Sequence, residues 1–404
     1  MRDKIFRFFS FLLLLLPAAT GAQEHQRLIV VPDGAGLTAV DPLAGRQRSG
    51  SIGAVAAFAD RWRTELGERN VVVVADRRKG WGREALGDAI YRELVDSTLR
   101  RRMEREAGYA PEAQRDSLYA RFGITPRAID SLGEAEWLVV DRYGVEGHVA
   151  VRVRRFDNRS VRPSRRFEER FAEETNRLRS FFLTPVARLD TAITTRDAFF
   201  GPSAWADLFH RFQLETAPAA EVSCVAPPRL DASLSAGPVA LGDFLRLFRF
   251  DNSLLTVRLT GQQLQEWMEK LFGMRFFRLE GPQSDLVRLR VPYYLHDDVA
   301  GLRFRVDLTA RYNRWVTIYE TERGEPFDPK RTYTVVLNSF RARDLLALEG
   351  VRAQVAAPDY RLALARWLLT RDTLRPRARD NWSAAPERWV RAIAARERRT
   401  IFDE

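Results

Sequence analysis

Cysteine, histidine, lysine and methionine are all scarce in this 404-residue chain, with one Cys, four His, four Lys and four Met. The single cysteine, Cys224, excludes an intrachain disulfide. Its neighbours Val222, Val225 and Ala226 predict a buried strand with an inert thiol, and no His lies near it in sequence to activate a nucleophile. Four histidines (His25, His148, His210 and His296) are few for a two-metal centre, where imidazole and carboxylate together ligate each ion. Beyond residue 22 no stretch approaches eighteen apolar residues, so no membrane-spanning helix is expected. With lysine so rare, the 65 basic residues are almost all Arg, set against 54 acidic ones for a net charge of +11. They are spread along the chain and interleaved with Asp and Glu, without a basic stripe carrying aromatics. A solvated surface is expected, and no nucleic-acid partner.

What is present divides the chain. Residues 1–22 have the pattern of an export signal peptide: Arg2, Lys4 and Arg7, an apolar run from Phe8 to Leu16, then small residues with Thr20 and Ala22 at the −3 and −1 positions. No Cys follows to carry a lipid, so an exported, periplasmic protein is expected. Arg27–Val31, a helical spacing over Ser51–Leu66 (Ile52, Val55, Phe58, Trp62, Leu66) and four valines at 71–74 predict a strand–helix–strand unit of α/β type. Residues 83–134 read as polar helices broken at Pro111 and Pro126, Trp137–Val140 and Val149–Val153 as strands, and Phe167–Phe182 as an amphipathic helix. In the second half, helices are predicted over 200–214, over Val239–Leu247, and over Gln262–Phe272 behind the N-cap Thr260. Strands are predicted at Glu221–Val225, Ser253–Leu259, Leu286–Val291, Leu302–Leu308, Trp315–Tyr319 and Thr332–Leu337, with two closing helices around Pro376.

Six segments of this second half occur in an order that resembles one known family. They are Phe181–Ala187 with Arg196–Gly201, Ser235–Val239, Phe248–Gly261, Gly301–Phe304, Tyr333–Arg341, and Asn381-Trp382 with the tail Ile401-Phe402. Together they resemble the C-terminal domain of the 5'-nucleotidase and 2',3'-cyclic-nucleotide 2'-phosphodiesterase family. The resemblance implies that two aromatic rings sandwich a nucleobase beside two asparagines, here Phe250 with Asn252 and Phe340 with Asn338, and that Arg341 belongs to the same nucleotide-binding group. Stacking on an aromatic face contributes about 1–3 kcal/mol per base, and an amide can both donate to and accept from a base edge. One departure stands out. Where the family carries a Gly-rich turn, this chain has Ala342-Arg343-Asp344-Leu345-Leu346, which predicts a helix and puts ribose and phosphate contacts in doubt.

The first half resembles a shortened, degenerate metallophosphoesterase domain of the same family. The first strand of such a domain ends in Asp-x-His, and here Asp33 is followed by Gly34 and Ala35. The bridging Asp falls in one of two registers, on Arg78 or on Asp76; a guanidinium repels a cation, and in the second register Arg77, Arg78 and Lys79 crowd the carboxylate. The later Asn-His-Glu and Gly-His-x-His motifs are missing, and Gly147-His148-Val149 reads as strand. Asp33 and Asp76 are thus relic positions, with no catalytic residue and no metal ligand assigned. No nucleophile elbow, phosphate loop or zinc-protease motif appears. His296-Asp297-Asp298 reads as a solvated loop and His210 as a packing residue on an amphipathic helix.

The fold class expected is therefore α/β and α+β, a truncated metallophosphoesterase-like α/β part followed by a 5'-nucleotidase C-terminal-type α/β domain. The expected boundaries are 1–22 signal peptide, 23–160 degenerate domain, 161–188 connecting helix and 189–404 C-terminal domain. The expected function is non-catalytic binding of a nucleotide or nucleoside without a cofactor. The alternative is a nucleotide phosphohydrolase dependent on a divalent pair (Mn²⁺ or Zn²⁺). The sequence names no protein partner.

Overall fold

The computed structural model describes residues 13–17, 25–32, 50–76, 86–132, 136–145, 148–248 and 252–402. They fall into two compact units, residues 1–183 and 184–404, each mixed α/β.

The first unit runs β1 (Leu13–Pro17), β2 (Gln26–Pro32), α1 (Ile52–Leu66), β3 (Val71–Asp76), α2 (Leu86–Leu94), α3 (Leu99–Glu106), α4 (Arg115–Phe122), α5 (Pro126–Asp130), β4 (Glu136–Val145), β5 (His148–Asp157), α6 (Arg165–Arg170) and α7 (Ala172–Leu183). Its sheet has the order β1-β5-β4-β2-β3. β2 and β3 pair in parallel, and α1 makes the crossover that a parallel pair needs. Ser51 Oγ caps α1 by accepting from Ala54 N at 3.1 Å, and Gly67, with φ at +88°, ends the helix where a side chain would be strained. Leu28, Val30, Val74, Leu138, Val140, Val149 and Val151 bury one sheet face against Tyr119 and Phe122 of α4 and Ile129 of α5. Each such side chain contributes about 1.5–3 kcal/mol on leaving water. Leu13–Pro17, within the expected export leader, pairs with β5 as an edge strand. The single helix expected over Phe167–Phe182 is two helices, interrupted at Phe171.

The second unit runs β6 (Pro185–Leu189), β7 (Ile193–Thr194), α8 (Ala204–Thr216), β8 (Val222–Val225), β9 (Ser233–Leu234), β10 (Gly237–Ala240), α9 (Leu241–Leu245), β11 (Leu254–Thr260), α10 (Gly261–Arg275), β12 (Asp298–Ala300), β13 (Leu302–Asp307), β14 (Val316–Thr321), β15 (Thr332–Asn338), α11 (Ser339–Leu345), β16 (Ala353–Ala357), α12 (Tyr360–Leu368), β17 (Thr373–Leu374), β18 (Trp382–Ala385) and α13 (Glu387–Phe402). The main sheet has the order β12-β8-β15-β11-β16, and β14-β13-β18 form a separate three-stranded sheet. Trp267, Met268, Leu271 and Phe272 of α10 share one core with Val257, Val335, Phe304 and Trp382 of the two sheets. The helix starts at Thr260, whose Oγ accepts from Gln263 N at 3.2 Å while Gln263 returns a bond to Thr260 N.

Two expectations in this unit are corrected. Leu286–Val291 is not a strand: Val287 makes an isolated bridge to Phe276, and the Leu286 and Val287 N–H groups donate instead to the Glu397 carboxylate at 2.6 and 3.1 Å. The expected helix over Val239–Leu247 begins only at Leu241, because Gly237–Ala240 pairs with β6.

Candidate functional site

β11 and β15 are antiparallel, with Leu254 opposite Asn338. The start of one strand therefore meets the end of the other, and Asn252 and Asn338 come to the same end of the sheet. Ser339 stitches them together. Its N–H donates to Ser253 O at 2.8 Å, its Oγ accepts from Ser253 N at 3.0 Å, and that hydroxyl lies 3.4 Å from Asn252 Oδ1. Tyr360 N donates to the Asn252 carbonyl at 2.8 Å and fixes it from the side of α12. The Asn338 side chain accepts from Arg341 N at 2.9 Å, so this residue both ends β15 and caps α11. Phe340, in the first turn of α11, is half-buried. Its ring meets the edge of Tyr294 at 5.6 Å and 80°, and the Arg343 guanidinium stands over it at 5.1 Å. Three of the five expected site residues, Asn252, Asn338 and Phe340, thus converge. Phe250 lies outside the described residues.

Arg341 points the other way. It is 2% exposed, and its Nε donates to Asp297 Oδ1 at 3.1 Å while Nη2 lies 2.6 Å from Oδ2. Burial opposes its charge, but Asp297, with Cys224 and Asp344 adding to it, raises its pKa on balance. The same carboxylate accepts from Cys224 Sγ at 3.2 Å. Burial, and then the charge of Asp297, push the thiol well above its ordinary pKa, so Cys224 stays protonated.

Below this pair lies a charged core that sequence reading missed. Arg275, wholly buried, donates to the carbonyls of Asp297 (2.9 Å) and Ala198 (2.6 Å), stands 3.9 Å from Asp298, and covers the Phe276 ring at 4.8 Å. Burial lowers its pKa to about 10 against the opposing pull of Asp298 and Asp297, so it remains charged near neutrality. Asp298 also accepts from Trp382 Nε1 at 3.2 Å and lies 3.5 Å from His210 Nε2. His296 has its Nε2 at 3.0 Å from the Val291 carbonyl; burial, and then the Arg275 charge, lower its pKa to about 4. The expected solvated loop at His296-Asp297-Asp298 is therefore corrected: these residues are 1%, 0% and 3% exposed. Two buried arginines supply the counter-charge that lets carboxylates enter the core. An arginine within the apolar run Leu271-Phe272-Gly273-Met274-Arg275-Phe276-Phe277 is the sequence signal that a buried carboxylate had to meet it.

Ser223, His210 and Asp298 carry the groups of a hydrolytic triad, with His210 Nδ1 2.9 Å from Ser223 Oγ. Ser223 is 0% exposed and its hydroxyl is also 2.9 Å from the Gln213 amide, so no substrate carbonyl reaches it. The packing role expected for His210, which is 1% exposed, agrees with this arrangement.

In the first unit, Asp76 is 0% exposed at the end of β3, and one of its oxygens accepts from Tyr119 Oη at 2.7 Å. The register places it level with one end of β4: Pro32 pairs with Asp76, and Val30 with Leu138. His148 is exposed and pairs with Val145 at the other end of the ten-residue β4. The two are therefore about 30 Å apart along the strands, and no single ion holds both. Asp33 and Arg78 lie outside the described residues. Among the described residues, no group of three or more His, Cys, Asp or Glu stands close enough to hold a metal.

Residues 185–345 match the family model of the 5'-nucleotidase C-terminal domain. The trifunctional nucleotide phosphoesterase protein YfkN of Bacillus subtilis is 26% identical over 172 residues, 38% of this chain and 12% of that protein. A 2',3'-cyclic-nucleotide 2'-phosphodiesterase/3'-nucleotidase of Haemophilus influenzae is 29% identical over 125 residues, 27% of this chain and 19% of the relative. The chain thus spans less than a fifth of the length of either. Among solved structures, a 5'-nucleotidase precursor from Thermus thermophilus is similar at a TM-score of 0.45 and 13% identity, covering 90% of this chain and 100% of that one. The NAD nucleotidase of Haemophilus influenzae is similar at a TM-score of 0.47 and 9% identity, with the same coverage. The second unit thus carries, over residues 185–345, a domain of the 5'-nucleotidase C-terminal family.

Proposed function

We propose that this protein is exported and binds a nucleotide or nucleoside through its C-terminal unit without hydrolysing it at a metal pair. The observation that carries the reading is the convergence of Asn252, Asn338 and Phe340 at one end of the β11–β15 pair. Phe340 offers a ring for base stacking, backed at its edge by Tyr294. Asn252, held by Ser339 and Tyr360, stands beside it with an amide for the base edge. Phe250, two residues before Asn252 in sequence, is the second ring that the resemblance implies, and Arg341 pins the first turn of α11 to Asp297. In the N-terminal unit, the burial of Asp76 and its distance from His148 favour loss of the metal centre.

Titration calorimetry with adenosine and AMP tests the binding. Micromolar association, lost in Phe340→Ala and Phe250→Ala, is expected; failure of a broad nucleotide panel to bind would overturn the reading. Hydrolysis is tested with AMP and 2',3'-cyclic AMP in Mn²⁺ or Zn²⁺. Metal-dependent turnover abolished by Asp33→Ala would replace this reading with a phosphohydrolase like the relatives named above.

A further inference from the structure

We infer that Arg343 makes the site selective for the anionic ligand, a nucleotide over the corresponding nucleoside. This rests on the base cradle proposed above and concerns which ligand enters it. Residues 340 and 343 are three apart on α11 and so share one helix face. The Arg343 guanidinium lies 5.1 Å from the Phe340 ring centroid and has no ion pair among the described residues, while its side chain is exposed. The neighbouring carboxylate is already engaged: Asp344 lies 3.9 Å from Lys270 Nζ and 4.0 Å from Arg341 Nη1. Asp297 is taken by Arg341 beneath. Lys270 and Arg341 thus each approach a carboxylate, while Arg343 stands on the ring instead.

The consequence follows from competition for that face. A neutral nucleoside must move the guanidinium off the ring and gives it nothing in return. A nucleotide moves it too, but its phosphate then accepts from the displaced guanidinium, whose planar fork of donors matches phosphate oxygens. Where the family has a Gly-rich turn, this chain has a helix that carries a phosphate-seeking side chain up to the stacking ring.

Calorimetry on the full chain separates this from the underlying reading, with adenosine and AMP as probes against wild type, Arg343→Gln and Arg343→Lys. The expected result is a preference of wild type for AMP of about tenfold. In Arg343→Gln the two affinities should converge from both sides, AMP binding weakening while adenosine binding strengthens; Arg343→Lys should keep part of the preference. Added NaCl should weaken AMP alone. A helix-stabilising residue would not move the two ligands in opposite directions. Equal affinities in wild type, or a preference unchanged in Arg343→Gln, would overturn the role of Arg343 while leaving the cradle standing. Absence of binding by both ligands in wild type would overturn the cradle and this inference together.

Discussion

Arg341 and Asp297, 44 residues apart in sequence, meet inside the second unit with 3.1 Å from Nε to Oδ1 and 2.6 Å from Nη2 to Oδ2. Both side chains are almost wholly buried, so neither charge has water to turn to. Removing one partner strands the other, which costs about 3–5 kcal/mol. Asp297→Ala should therefore destabilise by that amount in urea unfolding. A double variant Asp297→Ala with Arg341→Met should recover much of it. Additive losses in the double variant would show that the pair is not coupled.

The thiol of Cys224 is 0% exposed and bonded to the same carboxylate. It should resist iodoacetamide and Ellman's reagent in the native protein and react fully in denaturant. Stoichiometric labelling without denaturant would contradict its burial.

Stability should fall as the solution is acidified, in a window set by His296. Its folded pKa is about 4, below the ordinary 6.5, so between those values the unfolded chain binds the extra proton. The contribution is fully present above pH 6.5 and is lost progressively down to about 4. The slope is at most about 1.4 kcal/mol per pH unit. His296→Asn should flatten the dependence in that window, measured by urea midpoints at a series of pH values; an unchanged slope would remove His296 as its source.

Gly301, part of the segment Gly301–Phe304, should not tolerate alanine. Its φ is +97°, and an added Cβ would lie 1.9 Å from the Glu221 carbonyl oxygen, which belongs to backbone and cannot swing away. A loss of about 3 kcal/mol is expected from overpacking and strain together. A variant with wild-type thermal stability would refute it.

The sequence disclosed the parts of this fold that local chemistry governs. The valines at 71–74, the helical spacing over Ser51–Leu66, the cap Thr260 and the strand expected at Ser253–Leu259 each found the element they predict. So did the replacement of a Gly-rich turn by the helix α11. What stayed hidden was decided by distant partners. Asp297 and Asp298 look solvated until Arg275, Arg341 and His210 are brought around them. Leu286 and Val287 look like strand residues until Glu397 of α13 takes their N–H groups. In the candidate site, the two asparagines were singled out by the family resemblance of their segments, and the pairing of β11 with β15 brings them to one end of the sheet. The inward turn of Arg341 was not, because its partner lies on another segment.

The opposite placement of Asp76 and His148 on one sheet limits which groups a single ion could share. Hydrogen-bonded strands fix the gap between the two groups, and no rotation of either side chain shortens it appreciably. A ligand set that includes Asp76 therefore cannot include this imidazole. An ion at the C-terminal end of β3 would have to compete with Tyr119 for the Asp76 carboxylate, which is closed off from solvent.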